Sequence, residues 1–134
     1  DMLIGFSREW EAEENVYCYS ANEASDIEGN RIFVAYLGSE PVGYLFGKGY
    51  KSKNMNSIMP DGTDCFEIEE LYVIKRCRSS GIGKLLMQAA YSALTGEYEY
   101  VTLSTASKNH KSILHFYIDE VGMEFFSARL YKKL

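Results

Sequence analysis

No apolar run in this 134-residue sequence approaches the ~20 residues of a membrane-spanning helix. No signal peptide is visible, and the chain opens at Asp1 rather than at methionine, which leaves room for an upstream segment. Positive charge is in deficit. Fourteen Lys and Arg face nineteen Asp and Glu, for a net charge of −5. That balance argues against general nucleic-acid binding and suits a cationic small molecule. Cysteine is sparse too. Cys18, Cys65 and Cys77 are odd in number and lack metal-ligand spacing, so free thiols in a reducing, cytoplasmic setting are expected, with no metal. No internal repeat, low-complexity tract or linker divides the chain. Its length suits one domain, residues 1–134, with a proper core, and is too short for two.

The most informative stretch is Cys65 to Leu94, CFEIEELYVIKRCRSSGIGKLLMQAAYSAL. Phe66 to Ile74 is rich in apolar, aromatic and β-branched residues, as a buried strand requires. A basic, polar run follows, Lys75 to Ser80. After Gly81, Ile82, Leu85, Leu86, Ala89, Ala90, Ala93 and Leu94 fall on one helical stripe, and Gly96 ends it. The turn Arg78-Ser-Ser-Gly81-Ile-Gly83 therefore leads straight into a helix N-terminus. Unpaired N–H groups and a partial positive charge there favour anions, phosphates above all. Glycine lets a ligand approach the backbone, and Arg76, Arg78 and Lys84 add positive charge.

Two common phosphate cradles are excluded. A Walker loop needs Gly at position 78 and Ser or Thr after Lys84, where this chain has Arg78 and Leu85. A dinucleotide fingerprint needs a small residue at position 86, which is Leu. What remains is R-x-x-G-x-G after a strand ending in L-Y-V. Preceded by E-x-E-E-L-Y-V and followed by an amphipathic helix, it resembles the acetyl-CoA signature of the GNAT superfamily of N-acetyltransferases.

The rest of the chain agrees with that resemblance. Met2, Leu3, Phe6 and Trp10 share a helical face, so residues 1 to about 14 read as a helix with an acidic end. Ser20-Ala-Asn-Glu23 reads as a capping box opening a short helix that Gly29 closes. Arg31–Leu37 and Val42–Tyr50 read as an antiparallel hairpin. Residues 51–64 form a polar loop of a length often functional or mobile. Tyr98–Ser104 is a further strand, and with 66–74 and the helix between them it makes a β-α-β unit, so the two strands are expected to be parallel. A helix over Asn109–Glu120, with Ile113, Leu114, Tyr117, Ile118 and Val121 inward, and a strand over Met123–Lys133 complete the chain. The fold class expected is α/β: a mixed, twisted GNAT-like sheet with helices on both faces, splayed between strands 66–74 and 98–104. The family's N-terminal strand is missing, and one final strand stands where the family commonly has two.

The resemblance implies an enzyme that moves the acetyl group of acetyl-CoA, its cosubstrate, to a primary amine of a small molecule or peptide. It implies that main-chain N–H groups from Arg78 through Ser79, Ser80, Gly81, Ile82 and Gly83 to Lys84 hold the pyrophosphate. Leu71, Tyr72 and Val73 would meet the pantetheine arm through their main chain, with the Leu71 N–H donating to the thioester oxygen. Three carboxylates stand beside them. Glu67 matches the glutamate of histone and some aminoglycoside acetyltransferases, and Glu69 that of polyamine acetyltransferases. Glu69 is slightly favoured as the base that takes the amine proton, Glu67 is kept, and Glu70 stays open. Strand period puts Glu67 and Glu69 on one face and Glu70 on the other unless a bulge intervenes. Asn109, Ser112 and Tyr117 resemble N-x-x-[AS]-x-x-[FL]-Y, with one extra residue before the tyrosine. They would contact pantetheine (Asn109, Ser112) and protonate the departing thiolate (Tyr117). His110 and His115 read as surface residues. Trp10, Tyr17, Tyr19 and the acidic residues near them are candidates to line a pocket for a cationic amine. Expected partners are acetyl-CoA and that amine, with no nucleic acid and no membrane; a homodimer is among the open oligomeric states. The rival reading is a catalytically weak acyl-CoA-binding or regulatory module.

Overall fold

A computed structural model describes residues 2–134; Asp1, the first residue of the expected N-terminal helix, lies outside the described residues. That helix, α1, is Met2–Glu13, and a single turn, α2, is Ala24–Ile27. The capping box of α2 falls three residues later than the sequence suggested. Glu23 is the cap and exchanges hydrogen bonds with the third helical residue, Asp26. A carboxylate therefore does what was expected of Ser20.

Four strands follow the order β1-β2-β3-β4. They are β1 Arg31–Leu37, β2 Glu40–Lys51, β3 Asp64–Val73 and β4 Tyr100–Thr102. The pairs β1–β2 and β2–β3 are antiparallel, and β3–β4 is parallel. Helix α3, Ile82–Leu94, crosses between β3 and β4. Strand alternation in β2 divides the core between two faces. Leu45 joins Phe66, Ile68, Leu86, Met87, Ala90, Leu94 and Val121 on the α3 face. Val42, Tyr44 and Phe46 join Leu3, Tyr72 and Ile74 on the other, against which Met2, Phe6 and Trp10 of α1 pack.

Three expectations change. In α3, Leu85 and Ala89 face out, while Met87 is fully buried. The helix is turned so that Met87 meets the sheet and the Tyr91 hydroxyl reaches the Val121 carbonyl at 2.9 Å. The last helix spans His110 to Glu120, within a residue of expectation, but changes type along the way: α4 is His110–Leu114, continued by a π-helical turn, His115–Glu120. And the strand expected over Met123–Lys133 is absent; residues 124–134 have no regular structure, and Leu130 and Tyr131 are exposed. Aromatic and apolar residues alone make no strand without a partner edge. The polar loop after β2 is pinned at its neck by Ser52, which is buried. Its N–H donates to the Thr63 carbonyl at 2.9 Å and its hydroxyl to the Pro60 carbonyl at 2.8 Å. All three cysteines are free thiols.

One irregularity shapes the site. Phe46 pairs with Glu70 but Gly47 pairs with Ile68, so Glu69 is an extra residue in β3. Gly47 permits this bulge, because a Cβ there would lie 2.0 Å from the Glu67 carbonyl oxygen. Gly47→Ala is expected to destabilise the fold by roughly 1–3 kcal/mol, the usual range for overpacking. Thermal melts check this, and an unchanged melting temperature would show that the bulge is not held by that contact.

Candidate active site

The β-α-β unit builds the first half of the site. β4 pairs with β3 only at Cys65, Phe66 and Glu67. Beyond Glu67 the β4 side of β3 has no strand partner among the described residues. The direction of each main-chain group there follows from the ladder. The Ile74 N–H donates to the Val42 carbonyl at 2.9 Å. In an antiparallel pair the inward and outward residues alternate, so Tyr72 and Glu70 also address β2, while Leu71 and Val73 address the gap. Of the three residues expected along the cofactor arm, Tyr72 thus turns its own N–H and C=O to β2. The Val73 carbonyl already accepts from Arg78 Nε at 2.8 Å. Leu71 presents both groups to the gap.

The turn after β3 is a 3₁₀ turn, Lys75–Cys77, then Arg78 to Gly81. Ser79 and Gly81 lie in the left-handed region, at φ 61° and 88°. The Ser80 hydroxyl folds back on the Cys77 carbonyl. Gly81 is the N-cap of α3 and no side chain caps it. The first N–H groups of α3 are therefore left for an anion, and space is open around Gly81 where a Cβ would point. Gly83 sits where a Cβ would press on the Phe116 ring at 3.3 Å, so a small residue there lets the α4 segment close over α3.

The side-chain charges differ from expectation. Arg78 is not free to meet a ligand. Its guanidinium makes a bidentate pair with Glu13 at 2.6 and 2.8 Å and lies 5.3 Å over the Tyr72 ring. The Arg78 hydrogen bond holds the Glu13 carboxyl below its ordinary range, and Glu13 raises Arg78. Arg76 pairs with Glu40. Among the described residues only Lys84 of the three cations keeps no ion pair. The acidic end of α1 and Glu40 partner these arginines, and neither was visible from the turn alone.

The three glutamates come together through the bulge. It reverses the side-chain alternation, so Glu70 turns to the α1 face with Tyr72, where Glu67 also lies, rather than opposite to it. Glu70 is the most enclosed. It accepts hydrogen bonds from Tyr44 at 2.7 Å, Asn22 Nδ2 at 2.7 Å and Tyr19 at 3.2 Å. Burial pushes its carboxyl up, and those three donors partly counter the rise. Glu67 is pushed up by burial and then by the neighbouring Glu69 charge. Glu69 is exposed and, with Glu70, Asp26, Glu28 and Lys48, lines a cavity of about 350 Å³ between α2 and the sheet.

A second cavity, of about 460 Å³, collects Trp10, Glu11, Glu14, Tyr17, Tyr19 and Lys108. Trp10 and Tyr19 are in ring contact at 4.6 Å. The segment after α1 forms its rim and is tied to the loop after β4. The Tyr17 N–H donates to the Ala106 carbonyl at 3.0 Å, and the Lys108 N–H to the Asn15 carbonyl at 2.8 Å.

Tyr117 lies in the π-helical turn and packs against the α3-side core. Burial pushes its hydroxyl up to about 12, so it stays protonated at neutral pH. The Val121 N–H donates to the Phe116 carbonyl five residues back, at 3.1 Å. The turn is one residue wider there than an α-helical turn, and the Tyr117 ring stays inward. Asn109 precedes α4 as its N-cap and Ser112 is exposed on it. His110 and His115 are exposed, the latter beside Asp119.

The family model for the acetyltransferase (GNAT) family matches residues 2–123, and the chain belongs to that family. Its members use acetyl-CoA as cosubstrate with an acceptor. No curated protein matches the chain significantly. Solved structures do. One is an aminoglycoside acetyltransferase from an uncultured soil metagenomic sample, in complex with sisomicin: 22% identity, TM-score 0.67, covering 99% of this chain and 88% of that one. A tetramutant Bacillus halodurans protein matches at 18% identity with TM-score 0.73, over 99% and 90% of the two chains. A transcriptional regulator from Bacillus halodurans C-125 matches at 23% identity with TM-score 0.63, over 82% and 71%. At these identities the likeness is one of fold. No helix among the described residues is long and apolar enough to cross a membrane.

Proposed function

We propose that this protein is an acetyl-CoA-dependent N-acetyltransferase for a cationic primary amine, built as one domain. The observation that carries the reading is the unpaired edge of β3 beyond Glu67, which runs into an uncapped helix N-terminus at Gly81. An extended acyl arm fits the first and a pyrophosphate the second. When bound, acetyl-CoA supplies the acetyl group as an activated thioester. The main-chain N–H groups from Ser79 to Lys84 hold the pyrophosphate, with Lys84 as the available cation. Arg78 acts from behind, bracing the turn against Glu13 and Val73. Asn109 and Ser112 flank the arm from α4. The Leu71 N–H donates to the thioester oxygen, where negative charge develops as the amine attacks.

An alkylamine has a pKa of roughly 10.4 and arrives protonated. Glu69, at the lip of the acidic cavity, and Glu67 beside it remove that proton, directly or through water. Glu70 is left out of that role because its oxygens already accept from three donors. Tyr117 returns a proton to the departing sulfur. The carboxylates of this cavity, together with Glu11 and Glu14 of the adjoining larger one, favour a cationic acceptor that extends across both.

Calorimetry with acetyl-CoA and CoA, followed by an amine screen that reads thiol release, tests the assignment. Binding by acetyl-CoA and turnover with at least one primary amine are expected. Absence of binding at millimolar concentration overturns the proposal. Binding without turnover on any amine or alcohol would instead support a binding module, and turnover on alcohols alone would make it an O-acetyltransferase.

A further inference from the structure

Glu70 lies at the junction of three elements that the chemistry above does not explain. It follows the bulge residue Glu69 and precedes Leu71. From β2 it receives the Tyr44 hydroxyl, and from the segment between α1 and α2 it receives Tyr19 and Asn22. That segment has no regular structure from residue 19 to residue 23. Its other holds at this end are the Asn22 N–H on the buried Ser7 hydroxyl at 2.9 Å, the Ala21 N–H on Glu11, and side-chain contacts of the Tyr19 hydroxyl with Ser7 and Tyr44. Tyr19, so held, lies against Trp10, whose ring also meets Tyr72 at 5.5 Å. Tyr19 lines the larger cavity and Glu70 the smaller one, so their hydrogen bond spans the partition between them.

We propose that Glu70 is a positioning residue of the acceptor site: it fastens the 19–22 segment to β3 beside Leu71, and the Trp10–Tyr19 pair it fixes is the aromatic wall on which a cationic acceptor rests. The proposal rests on the acetyl-transfer reading. A carboxylate suits the task because its two oxygens accept all three hydrogen bonds at once. Tyr and Trp faces suit an alkylammonium, which they attract through the ring quadrupole.

The test uses Glu70→Ala and Glu70→Gln in the full chain, with two readouts. Trp10 is the only tryptophan, so its emission reports whether Tyr19 still covers it. Acceptor KM, kcat and acetyl-CoA affinity form the second. Glu70→Ala is expected to shift Trp10 emission to the red and to raise acceptor KM by about tenfold or more. Acetyl-CoA affinity should stay within about twofold, since nothing Glu70 touches lies in the Arg78–Lys84 turn. Glu70→Gln should restore both readouts. Its oxygen still accepts from the two tyrosines, and the Asn22 amide can turn to accept from its NH₂. Unchanged emission and KM in Glu70→Ala would overturn the proposal. So would failure of Gln to rescue, which would mean the charge itself is needed, or an equal loss of acetyl-CoA affinity, which would mean general collapse. If Glu70→Ala does not fold, Tyr19→Phe and Asn22→Ala each remove one bond, and the same two shifts are expected in smaller measure; no shift in either overturns it. Should wild type acetylate no amine, the acetyl-transfer reading fails, while the emission arm still decides whether Glu70 holds the wall.

Discussion

Replacing Gly81 with aspartate is expected to abolish acetyl-CoA binding, weakening it by about 100-fold or more, or ~3 kcal/mol. Two effects combine. Gly81 is held at φ 88°, a conformation that costs other residues roughly 1–2 kcal/mol. The larger effect is electrostatic. The Cβ would point into open space at the α3 N-terminus, and a carboxylate there occupies the ground that a pyrophosphate needs. Gly81→Ala separates the two, since it carries the strain without the charge and should keep affinity within about tenfold of wild type. Calorimetry on the pair decides it. If Asp binds acetyl-CoA as well as Ala does, the phosphates do not sit at this turn. Stability should fall in both variants by that backbone strain, roughly 1–2 kcal/mol, and by no steric clash beyond it, since no neighbouring atom lies within 4 Å of the added carbon.

The second large effect concerns proton removal. The double change Glu67→Gln, Glu69→Gln is expected to lower kcat by about 100-fold near neutral pH, the low end for general acid–base assistance. The pH dependence has a definite sign. Burial and Glu69 raise the Glu67 carboxyl, so its basic form is lost early as pH falls, and wild-type activity should drop on the acid side above the ordinary carboxylate range. The glutamine variant lacks that limb. Its deficit should shrink as pH approaches the acceptor amine's own pKa and free amine becomes plentiful. Tyr117→Phe should lower kcat with acetyl-CoA affinity nearly intact. Because that hydroxyl titrates only near 12, it should produce no alkaline limb in the working range. Pre-steady-state rates of thiol release across pH measure all three. Wild-type rates in the double variant at every pH would make both carboxylates structural.

Much of this site was legible because it is local. Phe66–Ile74, the glycine turn and the helix after it follow one another in sequence, and the observed β3 and α3 differ by only a residue or two from the spans that periodicity gives. The parallel pairing of β3 and β4 follows from a helical crossover, and its splay appears in a ladder of three residue pairs. What stayed hidden depends on partners distant in sequence. The Arg78 side chain read as free positive charge beside the turn because Glu13, 65 residues earlier, is invisible from the turn. The face of Glu70 stayed open in the sequence, since alternation holds only without a bulge, and Gly47 on the neighbouring strand decides where the bulge falls. Residues 123–133 were expected as a strand yet form none, for pairing needs an edge that the segment's own residues do not supply.

The π-helical turn has a consequence for how this chain tolerates change. Each residue of an α-helix rotates the side-chain direction by about 100°. An inserted residue would therefore throw every later side chain out of phase, carrying Tyr117 from the core toward solvent and shifting Val121 off the α3 face. Between His115 and Glu120 the wider turn swallows that phase error within six residues. The helix thus behaves like a vernier: its turn is one residue wider there, yet the Tyr117 ring still faces the α3-side core.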